Sequence, residues 1–288
     1  VGLILLPLLT AMGFGALKKV RLSIIIDRIF LVYITAFVVY NFKSLINLPR
    51  LIMRFVDALT LSQFETESWM AFPMGLFSLY YIMEKKHGRA LLAIACFLLC
   101  FKRIAMVGFA TSLIAYIVVF ILLKKDFRKA VIVRAFVILN AALIICLFLF
   151  IDGFFTKLIY RETGITINHF SQGRFAIYND AITHFQERIF TGSSLGMTHD
   201  FLKYKYTDIE FLHSDILKLI LELGIFPFLL WLVGFMYINI FTKKAVCIVL
   251  FINILFLSDN VFIYFDTLFL FYIILLKLNQ DGEESEVL

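Results

Sequence analysis

Apolar runs close to 20 residues long recur along this chain, as at residues 104–123 and 130–151, and they constrain its folding more than any other feature. About 20 such residues in an α-helix cross the hydrocarbon of a bilayer, and a helix satisfies its own backbone polar groups there. Composition agrees: 62% of the 288 residues are hydrophobic, 17% are charged, and mean hydropathy is +0.94, against roughly 45–50% apolar residues in a soluble domain. No soluble core could hide that much. The sequence therefore predicts an all-α, polytopic transmembrane helix bundle, a single transmembrane domain over residues 1–288. The chain begins with Val1 inside an apolar run, with no basic segment or cleavage site before it, and reads as N-terminally incomplete, with earlier helices missing.

Nine spans are expected, at residues 1–17 (incomplete), 22–42, 69–83, 89–101, 104–123, 130–151, 215–241, 245–257 and 261–276. Basic clusters separate them: Lys18, Lys19 and Arg21; Lys85, Lys86 and Arg89; Lys124, Lys125, Arg128 and Lys129; Lys243 and Lys244. With all four clusters in the cytoplasm, the positive-inside bias is met at every second connection. Residues 43–68 and 152–214 then lie outside, and the acidic tail after Lys277 lies inside. Two hairpins, 89–123 around Lys102–Arg103 and 245–276 around Ser258-Asp259-Asn260, are short for double crossings. Their turns are expected below the outer surface, in protein or a water-filled cavity. A net charge of +6 could suggest nucleic acid, but these basic residues stand between apolar runs, where they orient helices, so no nucleic-acid partner is expected. Cys96, Cys100, Cys146 and Cys247 all fall in apolar runs, which argues against disulfides and a thiolate metal site.

The stretch 152–214 is the one long polar segment, and it carries four of the five histidines, His169, His184, His199 and His213. Inside it Phe175, Tyr178, Ile182, Phe185 and Ile189 recur at helical spacing, opposite Asp180, Thr183, Gln186 and Glu187. The pattern predicts an amphipathic helix on the membrane or over the helix mouths, ended by Gly192-Ser-Ser-Leu-Gly196. That glycine segment lacks the Lys of a phosphate loop and reads as a turn. The histidines are 14 or 15 residues apart and match no short chelate motif.

Three constellations could carry chemistry. Lys102–Arg103 reads locally as an exposed turn, but Arg103 has apolar runs on both sides, and an ionisable group at membrane depth is a functional candidate. Ser171-Gln172-Gly173-Arg174 could be a plain helix start, or a place where Gly173 lets backbone approach a ligand and Arg174 offers a bidentate fork to phosphate oxygens. His213-Ser214-Asp215 could simply be a helix N-terminus, with Ser214 as cap and Asp215 at the positive end of the dipole. Yet Asp215, Lys218 and Glu222 form a polar stripe at spacings of three and four. Lys218 and Glu222 could neutralise each other; either way that face should look into protein or a cavity.

Taken in order, these pieces resemble the conserved region of the O-antigen polymerase and O-antigen ligase superfamily. The resemblance rests on Cys100-Phe101-Lys102-Arg103 with Gly108, on Gly173-Arg174 with Tyr178 where the family more often has Trp, on Gly192 to Gly196, and on His213-Ser214 followed after nine residues by Gly224. It covers residues 95–235. Lys102 stands where the family often has Ser, and Ser194 departs from a strict Gly-x-Gly-x-Gly.

The resemblance implies an inverting, metal-independent and cofactor-free glycosyl transfer from a polyprenyl diphosphate-linked glycan. It would take place at the outer face of a bacterial cytoplasmic membrane, beside chain-length regulator and flippase proteins. Arg103 and Arg174 would stabilise the diphosphate leaving group and bind substrate. His213 would accept the acceptor hydroxyl's proton, as a neutral imidazole can near physiological pH. Tyr178, Asp215, Lys218 and Glu222 complete the expected substrate-binding set. The polymerase, joining repeat units into O-antigen or capsule, is the first expectation; a ligase transferring the glycan to lipid A core or protein is the second. A flippase or other transporter is the alternative from another class, but transporters tend to hold their charges at the midplane and to show internal repeats. No repeat is evident here.

Overall fold

The computed structural model describes residues 7–13, 21–46, 70–118 and 129–287. All regular structure in these residues is helical, without a strand. After a helical segment at 7–13, the helices are α1 (Leu22–Tyr40), α2 (Phe42–Ile46), α3 (Ala71–Met83), α4 (His87–Leu99), α5 (Arg103–Ile117) and α6 (Lys129–Ile151). Then come α7 (Thr156–Thr163), α8 (Ile167–Phe170), α9 (Arg174–Phe185), α10 (Met197–Lys205), α11 (Asp215–Leu223), α12 (Ile225–Asn239), α13 (Lys243–Ser258) and α14 (Phe265–Val287). The stretch 47–69 and the basic residues Lys18, Lys19, Lys124, Lys125 and Arg128 lie outside the described residues, and so does the end of the expected 104–123 span.

Two expected spans need correction. The run 215–241 is not one helix: it breaks at Gly224, whose φ of 86° and ψ of 159° belong to a region only glycine enters readily. The hydrophobic pattern is continuous across the break, so apolarity alone could not reveal it. The run 261–276 opens with a 3₁₀ turn at Val261–Ile263, and the helix starts only at Phe265 but continues to Val287 through the acidic tail. No proline interrupts it.

Among the described residues, α1 and α6 are long and apolar enough to cross a membrane. Only 22% of each apolar window is buried, and Leu31 on α1 and Ile138 on α6 are 64% and 70% exposed. A core helix of a soluble protein would be mostly covered, so these faces call for an apolar solvent. Helices α3, α4, α5 and α12 are apolar but shorter, 13 to 15 residues. At 1.5 Å per residue they reach roughly 20 Å, short of the roughly 30 Å of hydrocarbon.

The described residues fall into two compact units, one drawn from residues 1–127, 241–255 and 261–288, the other from 128–240 and 256–260. In the first, α3 packs against α4, α5 and α14, and α14 packs on α1. Phe30, Phe77 and Tyr81 form an aromatic knot at its centre, and Gly108 brings α5 close to Phe251. At one end Asp27 meets Arg89, Lys86 at 3.3 Å and the Tyr81 hydroxyl at 3.0 Å, while Lys244 meets Glu84 at 2.7 Å. The basic clusters at 85–89 and 243–244 therefore share that end. At the other end the Lys102 ammonium sits 5.1 Å from the centre of the Phe72 ring, and Tyr264 meets the same ring edge-on.

In the second unit, α9 lies against α6 and the segment leading into α11. Leu147, Ile177, Ala181, Phe185, Leu217 and Leu221 make their common core. The expected amphipathic helix is there, as α9 followed by a 3₁₀ turn at Gln186–Arg188. Its buried stripe runs through Ile177, Tyr178, Ala181 and Phe185, with Phe175 only partly covered. Three further helices, α7, α8 and α10, occupy the polar stretch and were not legible as helices in the sequence. An ion pair at 2.7 Å between Asp180 and Lys205, with the Tyr206 hydroxyl donating to the same carboxylate, ties α9 to the end of α10.

Candidate functional site

The polar cluster of the second unit is built where three chain segments meet. The first is the start of α9. Gln172 and Gly173 both take left-handed backbone, with φ of 57° and 84°, and turn the chain so that Arg174 becomes the first helical residue. The free N–H groups of that helix end are met by side chains: Ser171 Oγ accepts from Phe175 N at 3.0 Å, and Asn168 Oδ1 accepts from Ala176 N at 3.2 Å. One turn on, Tyr178 is buried, and its hydroxyl donates to the His213 carbonyl at 2.7 Å. Burial pushes the Tyr178 phenol pKa upward; Arg174 opposes the shift, and the Asp259 and Asp215 carboxylates add to it. Tyr178 is therefore a hydrogen-bond donor, and it lies within the field of all three charged groups.

The second segment is His213-Ser214-Asp215. His213 has a φ of 56°, a left-handed conformation that costs a non-glycine residue about 1–2 kcal/mol. The Tyr178 hydroxyl bond helps hold it. Ser214 caps α11, its Oγ accepting from Leu217 N at 3.2 Å. Asp215, 1% exposed, opens α11 at the positive end of its dipole.

The third segment is Ser258-Asp259-Asn260, which the sequence marked only as a sunken turn. Arg174 Nη1 donates to Ser258 twice, to the carbonyl at 2.8 Å and to Oγ at 2.9 Å. The Asp259 carbonyl accepts from Asp215 N at 3.2 Å, Asn260 N donates to Asp259 Oδ1 at 2.8 Å, and Asn260 Nδ2 lies 3.3 Å from His213 Nδ1. Asp259 and Asn260 are buried. Sequence reasoning missed these residues as site members although the signal was present: polar groups between two apolar runs, the same feature that singled out Lys102–Arg103.

The structure thus brings together Arg174, Tyr178, His213 and Asp215. Glu222 lies further along α11, is 3% exposed, and accepts a hydrogen bond from the Thr198 hydroxyl. Lys218 is half-buried, and among the described residues no ion pair joins it to Glu222; the polar stripe is held by other partners. Arg103 belongs to the first unit, as the first residue of α5 with an exposed side chain.

Gly192 to Gly196 proves to be a brace. Ser193 N donates to Leu221 O at 3.0 Å, Ser194 N to Glu222 O at 3.1 Å, and Ile225 N to Ile189 O at 3.0 Å. The backbone carbonyls left open at the end of α11 are used in this way. A Cβ on Gly192 would stand 2.4 Å from the Leu223 carbonyl carbon, and one on Gly224 would stand 2.4 Å from Phe190 O. The two glycines stand backbone to backbone, a physical reason for glycine at both positions.

Helices of spanning length and a buried polar cluster define a helical membrane protein with a built polar site. A family model described as O-antigen ligase matches residues 89–232, half of the chain, and the chain belongs to that family. It is a membrane protein of surface-polysaccharide biosynthesis, of the O-antigen polymerase and ligase type. No curated protein and no solved structure matches it.

Proposed function

We propose that this protein is a multi-pass glycosyltransferase of the bacterial inner membrane, using a polyprenyl diphosphate-linked glycan as donor at the outer face. The observation that carries this reading is the convergence of Arg174, Tyr178, His213 and Asp215 on one buried turn. A cation fixed by two bonds to Ser258 is preorganised to meet the negative charge that grows on a departing diphosphate. A histidine held by its backbone and its ring beside that cation can take the proton of the attacking sugar hydroxyl. The displacement is inverting, with a single attack on the anomeric carbon. Arg103 takes the role of a second cation for the diphosphate, on the strength of its place in the family pattern. Cations from the protein replace a divalent ion, so transfer should survive EDTA.

The acceptor is another lipid-linked repeat unit, making the protein a polymerase. The ligase reading has the family's own description in its favour. Purified protein given polyprenyl diphosphate repeat units alone, then with lipid A core added, separates the two. A ladder without the core supports the polymerase, a single addition dependent on the core supports the ligase, and no transfer under either condition overturns the enzyme reading. The grouping of basic residues at 85–89 and 243–244 at one end of the first unit supports a cytoplasmic end there. An Asp200→Cys variant that resists an impermeant thiol reagent in intact spheroplasts would refute an outer location for 152–214.

A further inference from the structure

We propose that Asn260 is a positioning residue for His213: its side-chain amide decides which ring nitrogen carries the proton, and so makes the histidine a base. The proposal rests on the reading of His213 as the proton acceptor. Asn260 lies beyond residues 89–232, so nothing in the family match assigns it.

The geometry is specific. The Asn260 amide sits 3.3 Å from His213 Nδ1, on a buried turn whose backbone is fixed by the Asn260 N–H to Asp259 Oδ1 bond and the Asp215 N–H to Asp259 carbonyl bond. The histidine cannot drift from it, because the Tyr178 hydroxyl holds the His213 carbonyl and Ser214 caps the helix that follows. A ring nitrogen facing a fixed amide has two states. If the amide NH₂ faces Nδ1, the neutral ring keeps its proton on Nε2 and cannot accept another there. If the amide oxygen faces Nδ1, it accepts Nδ1–H, and Nε2 bears the lone pair. Which amide atom is oxygen is an assignment from the hydrogen-bond network, and chemistry decides it. Once Nε2 has taken the acceptor's proton, both ring nitrogens carry hydrogen, and only Oδ1 can face the Nδ1–H of the imidazolium. The proton therefore passes from the sugar hydroxyl to Nε2 as the hydroxyl oxygen bonds the anomeric carbon and the bond to the diphosphate breaks. Asn260 Oδ1 steadies the cation formed.

An amide, unlike a carboxylate, does this without adding charge to a place already containing Asp215 and Asp259 with Arg174 and the Tyr178 hydroxyl. Asn260→Asp would put a carboxylate against Nδ1 and hold the ring protonated to higher pH. The test is transfer measured against pH in purified full-length protein for Asn260→Ala, Asn260→Asp and His213→Ala. Asn260→Ala should lower kcat by about 10- to 100-fold with KM little changed, a share of the loss expected for removing the base itself. Asn260→Asp should move the acid limb of the kcat profile upward by about one pH unit or more and recover much of the parental rate above it. A merely structural asparagine would not move the limb. An Asn260→Asp profile that coincides with the parental one, in protein of parental abundance, overturns the proposal, and so does a parental rate in Asn260→Ala. If instead His213→Ala transfers at the parental rate, the base assignment beneath the proposal is what fails.

Discussion

Replacing Gly224 by alanine tests the brace that sets the far end of α11. Gly224 stands at φ 86° and ψ 159°, where a side chain costs about 1–3 kcal/mol whatever space surrounds it. Here there is no space: the new Cβ would lie 2.4 Å from Phe190 O and 2.8 Å from Gly192 N, both backbone atoms that cannot rotate away. Ordinary contact needs about 1 Å more, so residues 190–192 must lift off the break between α11 and α12. That movement loosens the bonds from Ser193 N to Leu221 O, Ser194 N to Glu222 O and Ile225 N to Ile189 O, each worth about 1 kcal/mol net. The sum is about 3–6 kcal/mol, a large fraction of the roughly 5–15 kcal/mol that holds a folded domain.

Gly173 is the control. Its φ is 84°, but a Cβ there meets nothing within 4 Å, so Gly173→Ala should cost only the backbone term, about 1–2 kcal/mol. Thermal unfolding in detergent, with membrane abundance beside it, reads the difference. At about 2–4 °C per kcal/mol for a chain of this size, Gly224→Ala should unfold about 10 °C or more below the parent, and Gly192→Ala should resemble it. Gly173→Ala should fall by only a few degrees. Equal melting of Gly224→Ala and Gly173→Ala would refute the brace.

Other substitutions probe the chemistry. Arg174→Lys keeps the charge but loses the planar fork that reaches Ser258, so polymer formation should fall nearly as far as in Arg174→Ala; a lysine variant with parental activity would reduce Arg174 to a point charge. His213→Ala should lower turnover by roughly 10² to 10⁴ with substrate binding kept, while His169→Ala, exposed and outside the cluster, should match the parent. His199 is a less neutral control, because its Nδ1 pairs with the Glu210 carbonyl at 2.9 Å. The clamp between α9 and α10 should open at both pH extremes. Hydrogen bonds from Lys205 and Tyr206 hold the Asp180 carboxyl below its usual range, so its stabilising share is complete above about pH 4 and lost as pH falls through the depressed value. Burial and Asp180 push the Tyr206 phenol up to about 12, so its share is complete below about pH 10 and lost as pH rises through 12. Trypsin cleavage after Lys203 and Lys205 should accelerate in both ranges, and Asp180→Asn should abolish the acid-side change.

Much of the architecture was legible because apolar length is a direct physical requirement of lipid. Leu22–Tyr40 and Lys129–Ile151 begin and end within two residues of the runs expected for them. What escaped was set by backbone geometry. The break at Gly224 sits in an unbroken apolar pattern, and only its approach to Gly192, 32 residues earlier, explains it. Helices α7 and α10 were hidden because they bury few apolar residues and lean on local bonds such as the Asp180–Lys205 pair. For the site, Arg174, Tyr178, His213 and Asp215 could be named from residue type and order. Their mutual contacts could not, because they depend on Ser258, Asp259 and Asn260, more than 40 residues beyond Asp215.

That turn has a further consequence for how the cluster tolerates change. Every bond it makes to the other two segments uses either its backbone or a short side chain: the Ser258 carbonyl and hydroxyl, the Asp259 carbonyl, the Asn260 amide. Short groups on a buried turn have few rotamers to lose, so they hold a long arginine and a strained histidine at low entropic cost. Arg174 brings the opposite liability, with several rotatable bonds fixed by one nitrogen. Removing Ser258 Oγ by Ser258→Ala leaves the carbonyl bond in place, so it should weaken the hold on Arg174 without unfolding the unit. The expected result is a rise in KM for the lipid-linked donor with little change in melting temperature. A fall in melting temperature as large as that of Gly224→Ala, with KM unchanged, would show that Ser258 serves the fold and not the grip on Arg174.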